Sequence, residues 1–291
     1  MSFPRVFALG TMALFLLIAV VAGVRKLSTK PKAPAKELTL SGPVLGASGE
    51  TAAVDLVAQL FTTGPDKLPI VETVTYESAV AWLKGRPAWI GDYATYYATS
   101  RHFIARSLNG RPDYFTQKIS PGQKFNVFRK DKNFSFFLVA DLSRCKMAFY
   151  LIDLDANERL LLKTYTVGVG KPGATPVGQF TLGDKIGVYK PGIMGTLRSQ
   201  EVEMIRVFGT RWIPFGSGLG IHGAPWGQDP ESGEWIESKG IVGCAASDGS
   251  IQMRLADMEE LFSIVITRPT ILEVVPRFEE AYLPGIELQR G

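Results

Sequence analysis

Between Phe134 and Val169, three runs of β-branched and aromatic residues follow one another with only turn-sized interruptions. The runs are Phe134–Ala140, Lys146–Ile152 and Arg159–Val169, separated by Asp141–Arg144 and Asp153–Asn157. Such runs, bounded by Asp, Asn and Ser, read as strands, and connections this short join antiparallel neighbours. This stretch commits the chain to a β-rich body. Gly178–Leu182, Val202–Phe208, Leu219–His222 and Thr270–Val275 read as further strands. In residues 254–266, Leu255, Met258, Leu261 and Phe262 fall on one helical face. The expectation is a mostly β domain over residues 119–275 with one or two helices, followed by a short tail at 276–291.

Residues 50–118 read differently. Thr51–Phe61, Glu72–Leu83 and Tyr93–Leu108 space their apolar residues as helices do. Tyr93, Tyr96, Tyr97, Phe103 and Phe115 read as the core of this small helical region, a carbohydrate-binding aromatic face being the alternative. His102 sits among them as a structural histidine. From Leu108-Asn109-Gly110 to Ser120-Pro121-Gly122-Gln123-Lys124-Phe125 the chain resembles the end of a LysM glycan-binding module, over one turn and part of a strand.

The first 49 residues are neither. Val6–Val24 carries no charge and, at ~1.5 Å per residue, spans about 28 Å, close to a bilayer core. It reads as an N-terminal membrane anchor over residues 1–26, against a cleaved signal peptide or a buried helix. Residues 27–49 are rich in Lys, Pro, Ser and Ala and read as a linker. Arg5, Arg25, Lys26, Lys30, Lys32 and Lys36 stand in a stretch without an acid, so the chain's net +4 leaves the rest at −2. The body is not basic, and nothing points to nucleic acid. The cations are denser after the apolar segment than before it, which by the positive-inside rule puts the body in the cytoplasm.

Acyl transfer needs a base beside a nucleophile-bearing turn. The chain has two histidines, and His222 lies in Gly220-Ile221-His222-Gly223, where a strand meets a loop. A Gly- and Ser-rich turn, Ser247-Asp248-Gly249-Ser250, runs into Ile251-Gln252-Met253. Gly168-Val169-Gly170-Lys171-Pro172-Gly173 matches a dinucleotide fingerprint in letters only, because prolines and a strand follow where a helix must. Neither Ser217 nor Ser250 has the spacing of a nucleophile elbow. Two cysteines, Cys145 and Cys244, make no disulfide framework, and the scattered Cys and His have no zinc-ligand spacing. No metal or organic cofactor is implied.

The body resembles the L,D-transpeptidase catalytic domain, the YkuD or ErfK family. The resemblance rests on Val139–Ser143, Val167–Thr181, Trp212–Gly223 and Val242–Met253, the last running on to Leu261. It implies an L,D-transpeptidase-like β-sandwich acting on peptidoglycan stem peptides. In that family a cysteine thiolate attacks the carbonyl after the L-centre of diaminopimelate, D-Ala leaves, and an amine resolves the acyl-enzyme. His222 takes the place of the family's base. Gly223, Ser247, Asp248 and Gly249 take the substrate and oxyanion positions, with the Ser250 amide. This sequence departs from the pattern: Ser250 stands at the cysteine, Asp248 at the motif histidine, Gln252 at the motif arginine and Leu255 at the later asparagine. Three readings follow. Cys244 is a displaced nucleophile; or Ser250 acts with His222, which Asp248 orients; or the domain has lost catalysis and binds stem peptides or cell-wall synthesis proteins. A Cys145–Cys244 disulfide would remove the first. The resemblance also implies a periplasmic body on an inner-membrane anchor, the opposite of the charge rule.

Overall fold

The computed structural model describes residues 54–111, 118–183, 186–187, 199–216, 218–238 and 240–288. In chain order the elements are α1 (Ala58–Phe61), β1 (Val71–Thr75), α2 (Ile90–Tyr96), α3 (Arg101–Asn109), β2 (Lys124–Phe128), β3 (Phe134–Asp141), β4 (Lys146–Asp153), β5 (Glu158–Gly170), β6 (Gly178–Thr181), β7 (Ile186–Gly187), α4 (Ser199–Phe208), β8 (Arg211–Phe215), β9 (Leu219–Gly223), β10 (Trp226–Gln228), β11 (Trp235–Glu237), β12 (Ala245–Ser247), β13 (Ile251–Met253), α5 (Leu255–Val265), β14 (Thr270–Val275) and β15 (Ile286–Glu287).

The expected meander forms. β3 and β4 pair antiparallel from Phe134↔Asp153 to Asp141↔Lys146, and β4 pairs with β5. Every residue of β3 is buried, so its apolar run is continuous instead of alternating. Asp141 holds the β3–β4 turn. Its Oδ1 accepts from the Ser143 and Arg144 N–H groups and the Ser143 hydroxyl, and its Oδ2 accepts from the Phe278 N–H. Those four donors compensate a carboxylate that is 2% exposed.

β5 is the hinge of the architecture. Its first part pairs with β4, and its end pairs with β13 on the other edge. The sheet order β6-β14-β3-β4-β5-β13-β9-β8-β7 therefore runs through it. Phe136, Leu138 and Leu272 from one side and Ile213, Ile221 and Ile251 from the other share one core. Helix α5 adds Met258, Leu261, Phe262 and Val265 to it.

The β-rich body holds two α-helices, α4 and α5, within the one or two expected, and the other three described helices lie at residues 58–109. Several single segments are corrected. Val202–Phe208 belongs to α4 and not to a strand, with Ile205 buried and Phe208 one turn later against Trp212. Glu72–Leu83 is not a helix: its start belongs to β1, whose β-branched Val71, Thr73, Val74 and Thr75 pair with β2. Thr51–Phe61 contributes only the single turn α1. The helix expected over Tyr93–Leu108 is two helices. Ala98 adopts φ 47°, and Ser100 starts α3 by accepting the Phe103 N–H at 2.9 Å.

Residues 54–128 are thus an antiparallel β1–β2 pair with α2 and α3 between its strands, and α1 in front. Tyr93 and Phe103 are buried there as expected, and His102 packs edge-on against Phe262. Phe115 lies outside the described residues. The segment after Val275 returns to the body: Ala281 and Leu283 are fully buried, β15 pairs with β5, and Arg159 donates to the Gly285 carbonyl. The Val6–Val24 segment and the linker lie outside the described residues. Among the described residues no helix is long and apolar enough to cross a membrane.

Candidate active site

β9 lies between β8, antiparallel, and β13, parallel. Register places Trp212 beside His222 on one side and Gln252 beside it on the other. Alternation puts Gly220 and His222 on one sheet face, with Ile221 and Ile251 on the opposite, core face. Ser250 continues β13 opposite Gly220, so its side chain shares the face of His222. With strands ~4.8 Å apart and two residues of rise at ~3.3 Å each, the His222 and Ser250 Cα atoms are about 8 Å apart.

His222 is 3% exposed. Its ring stacks on Trp212 at 5.3 Å and 24°, and meets Phe208 edge-on at 5.4 Å. Nδ1 lies 2.8 Å from the Gly223 carbonyl oxygen. A carbonyl can only accept, so the tautomer that satisfies this contact carries its proton on Nδ1. Burial pulls the imidazole below its ordinary pKa; the carbonyls of Gly223 and Phe208 pull the other way and do not outweigh it. His222 is therefore neutral near pH 7, as a general base requires.

The turn is held by its own side chains. Ser247 Oγ donates to the Ser250 carbonyl at 2.6 Å and accepts the Gly249 N–H at 3.1 Å. Gly249 adopts φ 127°, and a Cβ there would stand 2.7 Å from the Ala174 carbonyl oxygen, so only glycine fits. Ser250 Oγ accepts the Gly220 N–H at 3.3 Å, leaving its own hydrogen to donate.

His222, Ser247, Asp248, Ser250 and Gln252 line one cavity of 570 Å³, with Arg206 of α4 on its wall. Of the predicted site residues, Gly223 orients the histidine. Asp248 does not: its side chain is 94% exposed and pairs with Lys171 Nζ at 2.9 Å. Cys244 does not line the cavity. It is exposed on the strap along β5, where its carbonyl accepts the Val169 N–H at 3.0 Å. Cys145 is buried, and both thiols are free. Burial raises the Cys145 thiol above its ordinary range.

Sequence reasoning missed Trp212, Phe208 and Arg206. Trp212 had a signal: it precedes the Gly-rich strand by a hairpin-sized interval, which makes it a cross-strand partner of His222. Phe208 and Arg206 had none, because their segment was expected to be a strand.

No curated protein matches this chain. Among solved structures, it is similar to the helical cell shape determining protein Pgp2 of Campylobacter jejuni, at 15% identity and a TM-score of 0.34, covering 50% of this chain and 49% of that one. An L,D-transpeptidase of Mycobacterium smegmatis aligns at 14% identity and a TM-score of 0.31, covering 54% and 76%. L,D-transpeptidase 1 of Mycobacterium tuberculosis aligns at 18% and 0.29, covering 52% and 70%. The chain spans about half the length of the Campylobacter protein. The model of the YkuD family, the L,D-transpeptidase catalytic domain, matches residues 135–274 of this chain, from β3 through β14.

Proposed function

We propose that the domain transfers the acyl group of peptidoglycan stem peptides, with Ser250 as nucleophile and His222 as general base and acid. The observation that supports this reading is the shared face of β9 and β13, on which His222 and Ser250 line one cavity. As Ser250 Oγ bonds to the carbonyl carbon, its proton passes to His222 Nε2. The Ser250 N–H is the donor we assign to the oxyanion; the Gly249 N–H is taken by Ser247. Collapse breaks the C–N bond to the terminal D-alanine, whose amine takes the proton from His222. An acceptor amine then attacks the ester, gives a proton to His222 and restores the hydroxyl. Arg206, on the cavity wall, supports a donor that carries a carboxylate. Its bond to Glu203 at 2.7 Å is an exposed i,i+3 pair, which a ligand displaces at little cost.

A second reading, a stem-peptide-binding domain without catalysis, is favoured by one observation: no thiol lines the cavity. A hydroxyl needs the base throughout, whereas a thiol needs little help near neutral pH. In both readings the body faces the peptidoglycan, tethered by the Val6–Val24 segment. A reporter fused after Gly291 that is active only in the cytoplasm would overturn them.

The test is turnover. Tetrapeptide stems are incubated with the full chain and a labelled D-amino acid, and exchange of the terminal residue is followed by mass spectrometry. Exchange lost in Ser250→Ala and His222→Gln but kept in Cys244→Ala supports acyl transfer at Ser250. Loss in Cys244→Ala alone refutes it. Binding without exchange supports the second reading.

A further inference from the structure

A second cavity, of 890 Å³, lies in the β1–β2 unit and shares no lining residue with the first. Trp89 is on its wall and is 69% exposed, the most exposed aromatic side chain among the described residues with large apolar groups in water. A lone exposed aromatic is ordinary; three features set this one apart.

Its backbone is fixed. Asp92 accepts the Trp89 N–H at 2.8 Å and is itself clamped by both terminal nitrogens of Arg86, at 2.8 and 2.6 Å. The loop is also pinned from inside, where the Tyr76 hydroxyl donates to the Ala88 carbonyl at 2.8 Å. The backbone that carries the indole is thus held at the cavity, so the loop has little conformational entropy to lose on binding. Second, a different loop, carrying Lys118, Ile119 and Ser120, also lines the cavity, so the indole borders a cleft formed by two segments. Third, the polar groups are mostly donors. Among the described lining residues, Lys118 and Arg101 add N–H donors beside the paired Arg86 and Asp92.

A flat apolar wall with hydrogen-bond donors around it suits a ligand with an apolar face and an oxygen-rich edge. Pyranose rings have both: axial C–H groups stack on an indole, and hydroxyl and acetamido oxygens accept from guanidinium and ammonium groups. A lipid surface would be met by a protruding tryptophan, not by one forming the side of a cleft. We propose that this cavity is an oligosaccharide-binding site, with Trp89 as the stacking platform and Lys118 as a donor. It is separate from the His222 cavity and does not depend on what that cavity does.

The probe is a set of N-acetylglucosamine oligomers titrated into the full chain, labelled with 5-fluorotryptophan and held in a zwitterionic detergent. The chain has five tryptophans, and Trp89→Phe assigns the relevant resonance. Saturable movement of the Trp89 signal is expected, with affinity falling about tenfold in Trp89→Ala and less in Lys118→Gln. Trp89 is exposed, so its replacement leaves the fold intact, checked by an unchanged melting curve. Ser250→Ala should bind the oligomers as the parent does. The proposal is overturned if no oligomer binds, if Trp89→Ala binds as tightly, or if Ser250→Ala loses binding in parallel, which would put the sugar in the His222 cavity. Trp89-dependent binding to vesicles of one part phosphatidylglycerol to three parts phosphatidylcholine, without oligomer binding, would instead assign the site to a membrane surface.

Discussion

Replacing Gly220 by alanine probes how His222 is positioned. The added Cβ would stand 2.6 Å from Trp212 Cε2 and Cζ2, where ordinary contact begins near 3.4 Å. The indole must therefore retreat by about 0.8 Å or more, and it is stacked on His222. Overpacking of this kind costs ~1–3 kcal/mol. For a body of this size each kcal/mol lowers Tm by about 2–4 °C, so a fall of roughly 2–12 °C is expected. The displaced indole also loosens the stack that fixes the imidazole, so stem exchange should fall with it. Thermal denaturation and the exchange assay read the two effects. The cause is tested by Trp212→Phe in the alanine background. A phenyl ring leaves room for the Cβ, so the double variant should recover much of the added loss, giving a coupling of about 1 kcal/mol between the sites. An unchanged Tm in Gly220→Ala, or strictly additive losses, would refute the steric account.

Further expectations concern charges. Arg211 of β8 and Glu259 of α5 form a buried pair at 3.3 Å, each side chain 7% exposed. Glu259→Ala should cost ~3–5 kcal/mol in denaturant unfolding, and the Arg211→Met/Glu259→Leu double variant should cost much less, because no charge is left stranded. The imidazole of His222 is held below its ordinary pKa, so the folded state resists a proton that the unfolded chain accepts near pH 6.5. Its contribution is fully present above pH 6.5 and is lost as the pH falls from there through the lower folded value. The slope should vanish in His222→Gln, and an imidazole midpoint above 6.5 by NMR would contradict the assignment. Asp248→Asn breaks only an exposed pair with Lys171. It should leave Tm and the His222 midpoint unchanged, and a shift in either would restore Asp248 as the residue that orients the histidine.

The β-rich body was legible because its strands are marked locally. Phe134–Asp141 and Lys146–Asp153 are bounded by turns whose Asp side chains bond the next backbone N–H groups. Elements whose identity depends on tertiary context were not. Val202–Phe208 is as apolar as a strand and becomes helical because Ile205 and Phe208 face inward one turn apart. Glu72–Leu83 carries a helix-like spacing, but pairing with β2 decides the conformation of its first residues. His222 and the Ser247–Ser250 turn were singled out from residue type and spacing. Their arrangement was not legible: sequence distance says nothing of which thiol or hydroxyl shares a cavity with His222. Cys244 is nearer to His222 along the chain than Ser250 is, yet its carbonyl pairs with β5 and it does not line the cavity.

The central claim is that the acyl group is carried by Ser250 with His222 as its base. The most direct measurement is the intact mass of the full chain after treatment with a carbapenem, followed by peptide mapping. The account predicts a stable adduct on the peptide containing Ser250, absent in Ser250→Ala, strongly slowed in His222→Gln and unaffected in Cys244→Ala. An adduct mapped to Cys244, or equal labelling with and without the His222 imidazole, would contradict it.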